Sequence, residues 1–309
     1  MINRKGILCI VEIIVVLLCV GLGLKWYNAY VVNEDTAPLV FLSDDTLQFY
    51  YLQNEEIREV PTGWDIYSSY TRFDINKEKR EEMILQLMDG IMPAIYNYET
   101  DEMEQLGDIR EMEAINSSYS EEKSEYRFVP GSNNISFTIY DRIYVYEYEQ
   151  KHYREVYQFD YDEYIKLGFS YEWKNDEEMY LIKEENFILY NIETKKEEII
   201  LEDIGNVYFQ MSDDGRYITY QEQWGDTGKR KIYLVDLHTM EKKEIYVAKA
   251  NYLVKTEFSP DNQCILIMDH HRDNHLGKRY FYLYNINKER KYRLDIDDLP
   301  LDKFIGWGK

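Results

Sequence analysis

The sequence predicts an all-β fold, a six-bladed β-propeller of four-stranded blades, and three observations carry that reading. A hairpin-like pattern recurs six times at nearly constant spacing. A second pattern, strand–tight turn–strand, precedes the later copies. Tyr, which suits a half-buried pleated surface, is abundant at 31 residues, while Gly and Pro number only 15 and 6.

The chain begins with a different kind of segment. Ile7 to Leu24 is apolar except for Glu12. Eighteen residues at about 1.5 Å each span roughly 27 Å, close to the thickness of a bilayer core. Arg4 and Lys5 precede the run, and Trp26 and Tyr27 follow it at what would be the far interface. No small-x-small cleavage site follows, and Leu18 before Cys19 does not fit a lipoprotein signal. The expectation is a cytoplasmic tail over 1–6, a transmembrane helix over 7–25 acting as an uncleaved signal anchor, and a linker over 26–37. The propeller over 38–309 would then lie on the extracytoplasmic side of a cell membrane.

The hairpins read as two alternating strands around a polar turn. The clearest are Phe187–Leu201, Ile232–Tyr246 and Phe281–Leu294; Ile143–Val156, Ala94–Leu106 and Phe49–Val60 complete the set. The last apolar residues before the turns are Leu52, Tyr98, Tyr148, Ile192, Leu237 and Ile286, which are 44 to 50 residues apart. A strand-built repeat of that length marks propeller blades.

The preceding strand pair is clearest in Val207–Tyr220 and Val254–Ile267, with weaker copies at Phe128–Ile139 and Phe169–Leu181. Asp214-Gly215 and Pro260-Asp261-Asn262 supply the turn chemistry, since Gly and Asn accept positive φ. Each unit therefore has four strands, A to D. Met211-Ser-Asp-Asp-Gly-Arg-Tyr-Ile-Thr-Tyr220 and Glu257-Phe-Ser-Pro-Asp-Asn-Gln263 resemble the Phe-Ser-Pro-Asp-Gly-Lys repeat of TolB-like propellers. The resemblance spans about 39–309, is strongest over 207–296, and specifies a fold rather than an activity.

Two further expectations concern the ring. Pro38–Asp45 is too short for a full A–B pair, and Lys303–Lys309 resembles a lone A strand. The C-terminal segment should therefore supply the inner strand of the first blade, with Trp307 in the core, which removes the exposed edges. Residues 76–89 contain good helix formers, but the repeat register places a B strand at Glu82–Leu87. Residues 107–126 read as a long loop.

A net charge of −22 argues against nucleic acid, which requires clustered Lys and Arg. Three cysteines, two of them inside the apolar run, give no disulfide framework. No Gly-x-Ser-x-Gly elbow, P-loop or dinucleotide glycine pattern occurs. Ser212-Asp213-Asp214-Gly215 lacks the Trp and spacing of a sialidase Asp-box and reads as a tight turn.

The remaining candidates are ligand-binding residues on the B–C loops. Asp269-His270-His271-Arg272-Asp273-Asn274-His275 gathers three of the five histidines, and imidazole with carboxylate suits a transition metal. Gln221 and Trp224 head a second loop, where an exposed Trp would anchor a partner. His270, His271, Asp273, His275, Gln221 and Trp224 form the candidate ligand-binding set, with no catalytic residue and no cofactor expected. The expected function is a membrane-anchored, monomeric propeller that binds a protein or envelope polymer. Two alternatives are a metal-dependent polysaccharide-active enzyme using the histidine loop, and a sensor coupled to a membrane partner through Glu12.

Overall fold

The computed structural model describes residues 37–43, 46–52, 56–61, 74–79, 81–86, 93–106, 126–139, 141–160, 171–205, 208–222, 230–248, 254–271, 278–294, 296 and 304–308. The predicted tail, membrane helix and nearly all of the linker lie outside them. No helix among the described residues is long and apolar enough to cross a membrane.

The described residues form six four-stranded antiparallel sheets. Blade one joins β1 (Leu39–Ser43), β2 (Thr46–Tyr51) and β3 (Glu56–Pro61) to β24 (Phe304–Trp307), in the order β24-β1-β2-β3. Blade two is β4 (Asp74–Ile75), β5 (Glu82–Gln86), β6 (Pro93–Asn97) and β7 (Glu102–Gln105). Blade three is β8 (Tyr126–Phe128), β9 (Ile135–Ile139), β10 (Arg142–Glu147) and β11 (His152–Gln158). Blade four is β12 (Tyr171–Trp173), β13 (Glu178–Lys183), β14 (Asn186–Asn191) and β15 (Glu197–Leu201). Blade five is β16 (Phe209–Met211), β17 (Tyr217–Gln221), β18 (Lys231–Asp236) and β19 (Glu241–Val247). Blade six is β20 (Val254–Phe258), β21 (Cys264–His271), β22 (Lys278–Asn285) and β23 (Arg290–Leu294).

The C-terminal strand closes the ring as the sequence indicates. Leu39 pairs with Trp307 and Val40 with Gly306, and Trp307 is buried. The B strand expected at 82–87 is β5, whereas Tyr126, placed at the end of a loop by the sequence, opens β8.

The core is divided between the blades. Strand side chains alternate in direction, so each blade buries both faces against different neighbours. Leu39 and Phe41 pack with Leu266, Phe281 and Leu283 of blade six, while Val40 between them packs with Ile75 and Met83 of blade two. Ile84 of blade two meets Phe137 of blade three, and Ile143 and Val145 of blade three meet Met179 and Leu181 of blade four. Tyr180, between those two, turns to Phe209 and Ile218 of blade five, whose Ile232 and Leu234 meet Ile265 and Ile267 of blade six. One apolar cluster thus fills each of the six junctions, and each large side chain fully buried there contributes about 1.5–3 kcal/mol.

The six anchor residues fall at equivalent places, the first position of each C–D turn. Their amides pin that turn to the neighbouring A–B turn. Tyr98 N donates to Glu81 O, Ile192 N to Glu177 O, Leu237 N to Arg216 O and Ile286 N to Gln263 O, at 2.8–3.0 Å. An Asn or Asp ends strand C and accepts the next amides: Asn97 from Glu99 and Thr100, Asn191 from Glu193 and Thr194, Asp236 from His238 and Thr239. The residue three beyond the anchor then takes positive φ, at Asp101, Lys151, Lys195, Met240 and Glu289.

Candidate functional site in the channel

The inner strands bring one equivalent position of each blade towards the axis. It is the residue before the last buried apolar residue of strand A: Asp74 before Ile75, Arg127 before Phe128, Glu172 before Trp173, Gln210 before Met211, Glu257 before Phe258 and Gly306 before Trp307. The apolar partners fill the junctions, so the polar residues are left to line the lumen. The turns after strand A add Lys77 of blade two and Asp213 of blade five at one end.

These charges engage one another across blades. Arg127 Nη1 lies 3.1 Å from Glu172 Oε1, and the Arg127 guanidinium sits 5.8 Å from the centre of the Tyr171 ring. Lys77 Nζ lies 3.2 Å from Asp213 Oδ1 and 3.8 Å from Glu172 Oε2. Asp74 Oδ2 accepts the Phe128 N–H at 3.0 Å, tying blade two to blade three. The Glu172 side chain is 3% exposed, so its charge depends on these cations rather than on water.

Burial pushes the Glu257 carboxyl up to about 8, with repulsion from Glu172 adding to the shift and Lys77 and Arg127 opposing it. Burial, with repulsion from Glu172, also raises Asp74, against the lowering by Arg127, Lys77 and the Phe128 amide. For Arg127 and Lys77, burial works against the charge, but the surrounding carboxylates outweigh it and both shift upward. Glu257 is therefore largely protonated at neutral pH, leaving the lumen a mixed network of acids, two cations and one neutral carboxyl.

Of the residues singled out in the sequence, Gln221, His270 and His271 are described, and they belong to strand B rather than to this inner-strand set. Gln221 ends β17 and is buried, and its Oε1 accepts the Val254 N–H at 3.3 Å, so it joins blade five to blade six. His270 and His271 are the last residues of β21, opposite Arg279 and Lys278, so strand B runs four residues beyond Ile267, where the sequence ends it, and takes in the first part of the expected B–C loop. Asp269 just before them is buried, and its Oδ2 accepts the Tyr246 hydroxyl at 2.5 Å. Trp224, Asp273 and His275 lie outside the described residues. Among the described residues no group of three or more His, Cys, Asp or Glu side chains is arranged to hold a metal ion.

The turn reading of Ser212–Gly215 is observed: Gly215 N donates to Ser212 O, with Gly215 at φ 69°. Ser259–Asn262 repeats it in blade six, with Asn262 at φ 54°.

The lumen set was missed by the sequence reading, although its signal was present. A polar residue precedes the last inner-strand hydrophobe in five repeats. That alternation looked like an ordinary strand facing water, and only ring closure turns those positions towards one another.

No family model and no curated protein matches the chain. Solved structures do. TolB from Acinetobacter baumannii aligns with a TM-score of 0.59 at 11% identity, covering 84% of this chain and 63% of that one. This chain therefore spans less than two thirds of the length of that protein. An oligogalacturonate lyase in complex with manganese aligns with a TM-score of 0.43 at 14% identity, covering 80% of this chain and 73% of the other. The tricorn protease aligns with a TM-score of 0.40 at 15% identity over 87% of this chain and 27% of its own. The chain is a six-bladed β-propeller of four-stranded blades, structurally similar to TolB.

Proposed function

We propose that this propeller is a binding module of the cell envelope, held to the membrane by residues 7–25 with its blades on the extracytoplasmic side, and that it recognises a protein or envelope polymer without transforming it. One observation carries the reading: the closed ring spends its lumen charges on contacts between its own blades. Such a ring is a rigid platform, and the loops joining its blades are free to vary over it. The apolar run at 7–24, with basic residues before it and aromatic residues after it, supports the tether.

The test is in-cell photo-crosslinking with the full-length chain. A photoreactive phenylalanine analogue replaces Trp224 on the B–C loop of blade five, and a second chain carries it at Ile199 on outer strand β15. A defined partner captured from position 224 and absent from position 199 supports a binding face at that loop. The same products from both positions, or none from 224, would sink it. Metal analysis of the purified protein separates binding from catalysis by the histidine loop: stoichiometric metal lost on replacing His270, His271 and His275 would speak for the enzyme.

A further inference from the structure

Lys77 makes a contact that blade packing does not require. Neighbouring blades are already joined by apolar clusters and by short bridges such as Arg127 to Glu172. Lys77 instead reaches from blade two to Asp213 of blade five and towards Glu172 of blade four. In a ring of six, blades two and five face each other, so this pair spans the axis. Both partners stand on turns that follow inner strands, which places the crossing at one mouth of the channel.

Water reaches the contact: the Lys77 side chain keeps 31% of its surface exposed and that of Asp213 keeps 24%, so solvent and salt ions compete for the Lys77–Asp213 bridge. Opening would leave Asp74, Glu172, Asp213 and Glu257 facing Arg127 as the remaining cation among the lumen residues described above. Among the described residues, these five and Lys77 itself are the acidic and basic groups that interact there, with Glu257 largely neutral. A lumen in that state favours an entering cation over an anion.

We propose that Lys77 is a latch: by bridging Asp213 and Glu172 across the axis it shuts the turn end of the channel, and its withdrawal admits small cationic groups to the lumen. The latch is electrostatic, so salt weakens it, and it requires a cation long enough to cross, so arginine can replace lysine.

The test reads access to the lumen directly. Gln210→Cys places a thiol at the aligned position of β16 in the full-length chain. Its modification by a trimethylammonium-ethyl methanethiosulfonate is timed by mass spectrometry of the peptide carrying residue 210, which separates it from the native cysteines. With Lys77→Met the rate is expected to rise about tenfold, the equivalent of one weak ion pair. With Lys77→Arg it should stay at the Lys77 value, and raising salt from about 0.1 to 1 M should speed the Lys77 chain towards the Lys77→Met rate. Equal rates in the Lys77 and Lys77→Met backgrounds overturn the latch. If Lys77→Met does not fold, as judged by near-ultraviolet circular dichroism, Asp213→Asn takes its place. It keeps the lysine and removes one bridge, and an unchanged rate there overturns the proposal equally.

Discussion

Trp307 of β24 lies opposite Leu39 of β1, so the first and last described strands close one blade between them. Trp307 is fully buried and packs with Phe281 and Leu283 of blade six as well as with Leu39 and Phe41. Trp307→Ala is expected to cost about 3–5 kcal/mol, as large core truncations do, and to expose the edge of β1. Urea unfolding should show the loss. Hydrogen exchange should show lost protection at Leu39 to Phe41, with the inner strands of blades three and four nearly unchanged.

The raised carboxyl of Glu257 predicts a pH dependence. Its folded value of about 8 lies above the usual 4.5, so in that window the native state holds a proton that the unfolded chain has released. Stability therefore falls as pH rises from about 4.5 to 8 and is unaffected by this group below that range. Glu257→Gln should leave the melting temperature unchanged near pH 4.5 and raise it by roughly 5 °C or more at pH 8.5. Parallel melting curves across the window would show that Glu257 titrates as an ordinary surface carboxylate.

Ser259 holds the A–B turn of blade six from inside. Its Oγ accepts the Cys264 N–H at 2.9 Å and lies within 2.5 Å of Asp261 Oδ1, and the residue is fully buried. Ser259→Ala leaves that amide without its partner and should cost about 1–3 kcal/mol. The denaturant midpoint should fall while the slope of the transition stays constant.

The C–D turn of blade five ends on Met240, at φ 59° with 53% of its surface exposed. A non-glycine residue in that region costs roughly 1–2 kcal/mol, and glycine's extra freedom in the unfolded chain returns about half of the gain. Met240→Gly is expected to stabilise by about 0.5 kcal/mol, read as a raised melting temperature. Met240→Val should move it the other way, because β-branched side chains suit that conformation least.

The ring was legible in the sequence because hairpin anchors such as Leu237 and Ile286 are periodic in chain order. The closing strand was legible because Pro38–Asp45 was short by one strand and Phe304–Trp307 supplied it. The lumen was not. Asp74, Glu172 and Glu257 are far apart in sequence and each looks like a solvated strand residue; their shared environment exists only after closure. Gln221 shows the converse: a polar residue at a strand end gives no sign in the sequence of a structural bond, yet here its amide oxygen takes the first N–H of the next blade. The turn residues at positive φ carried no glycine to announce them, since Asp101, Lys151, Lys195 and Glu289 occupy those places.

The pinned C–D turns give the two faces of the ring different tolerances to length. Five of the six have four residues between their strands, and the sixth, 192–196, has five. The connections from one blade to the next run from six residues, 248–253, to twenty, 106–125. One face thus keeps a fixed metre while the other absorbs insertions, so a reporter peptide placed within 107–125 should leave the blades in register. A single residue added inside 237–240 would push the outer strand of its blade out of step.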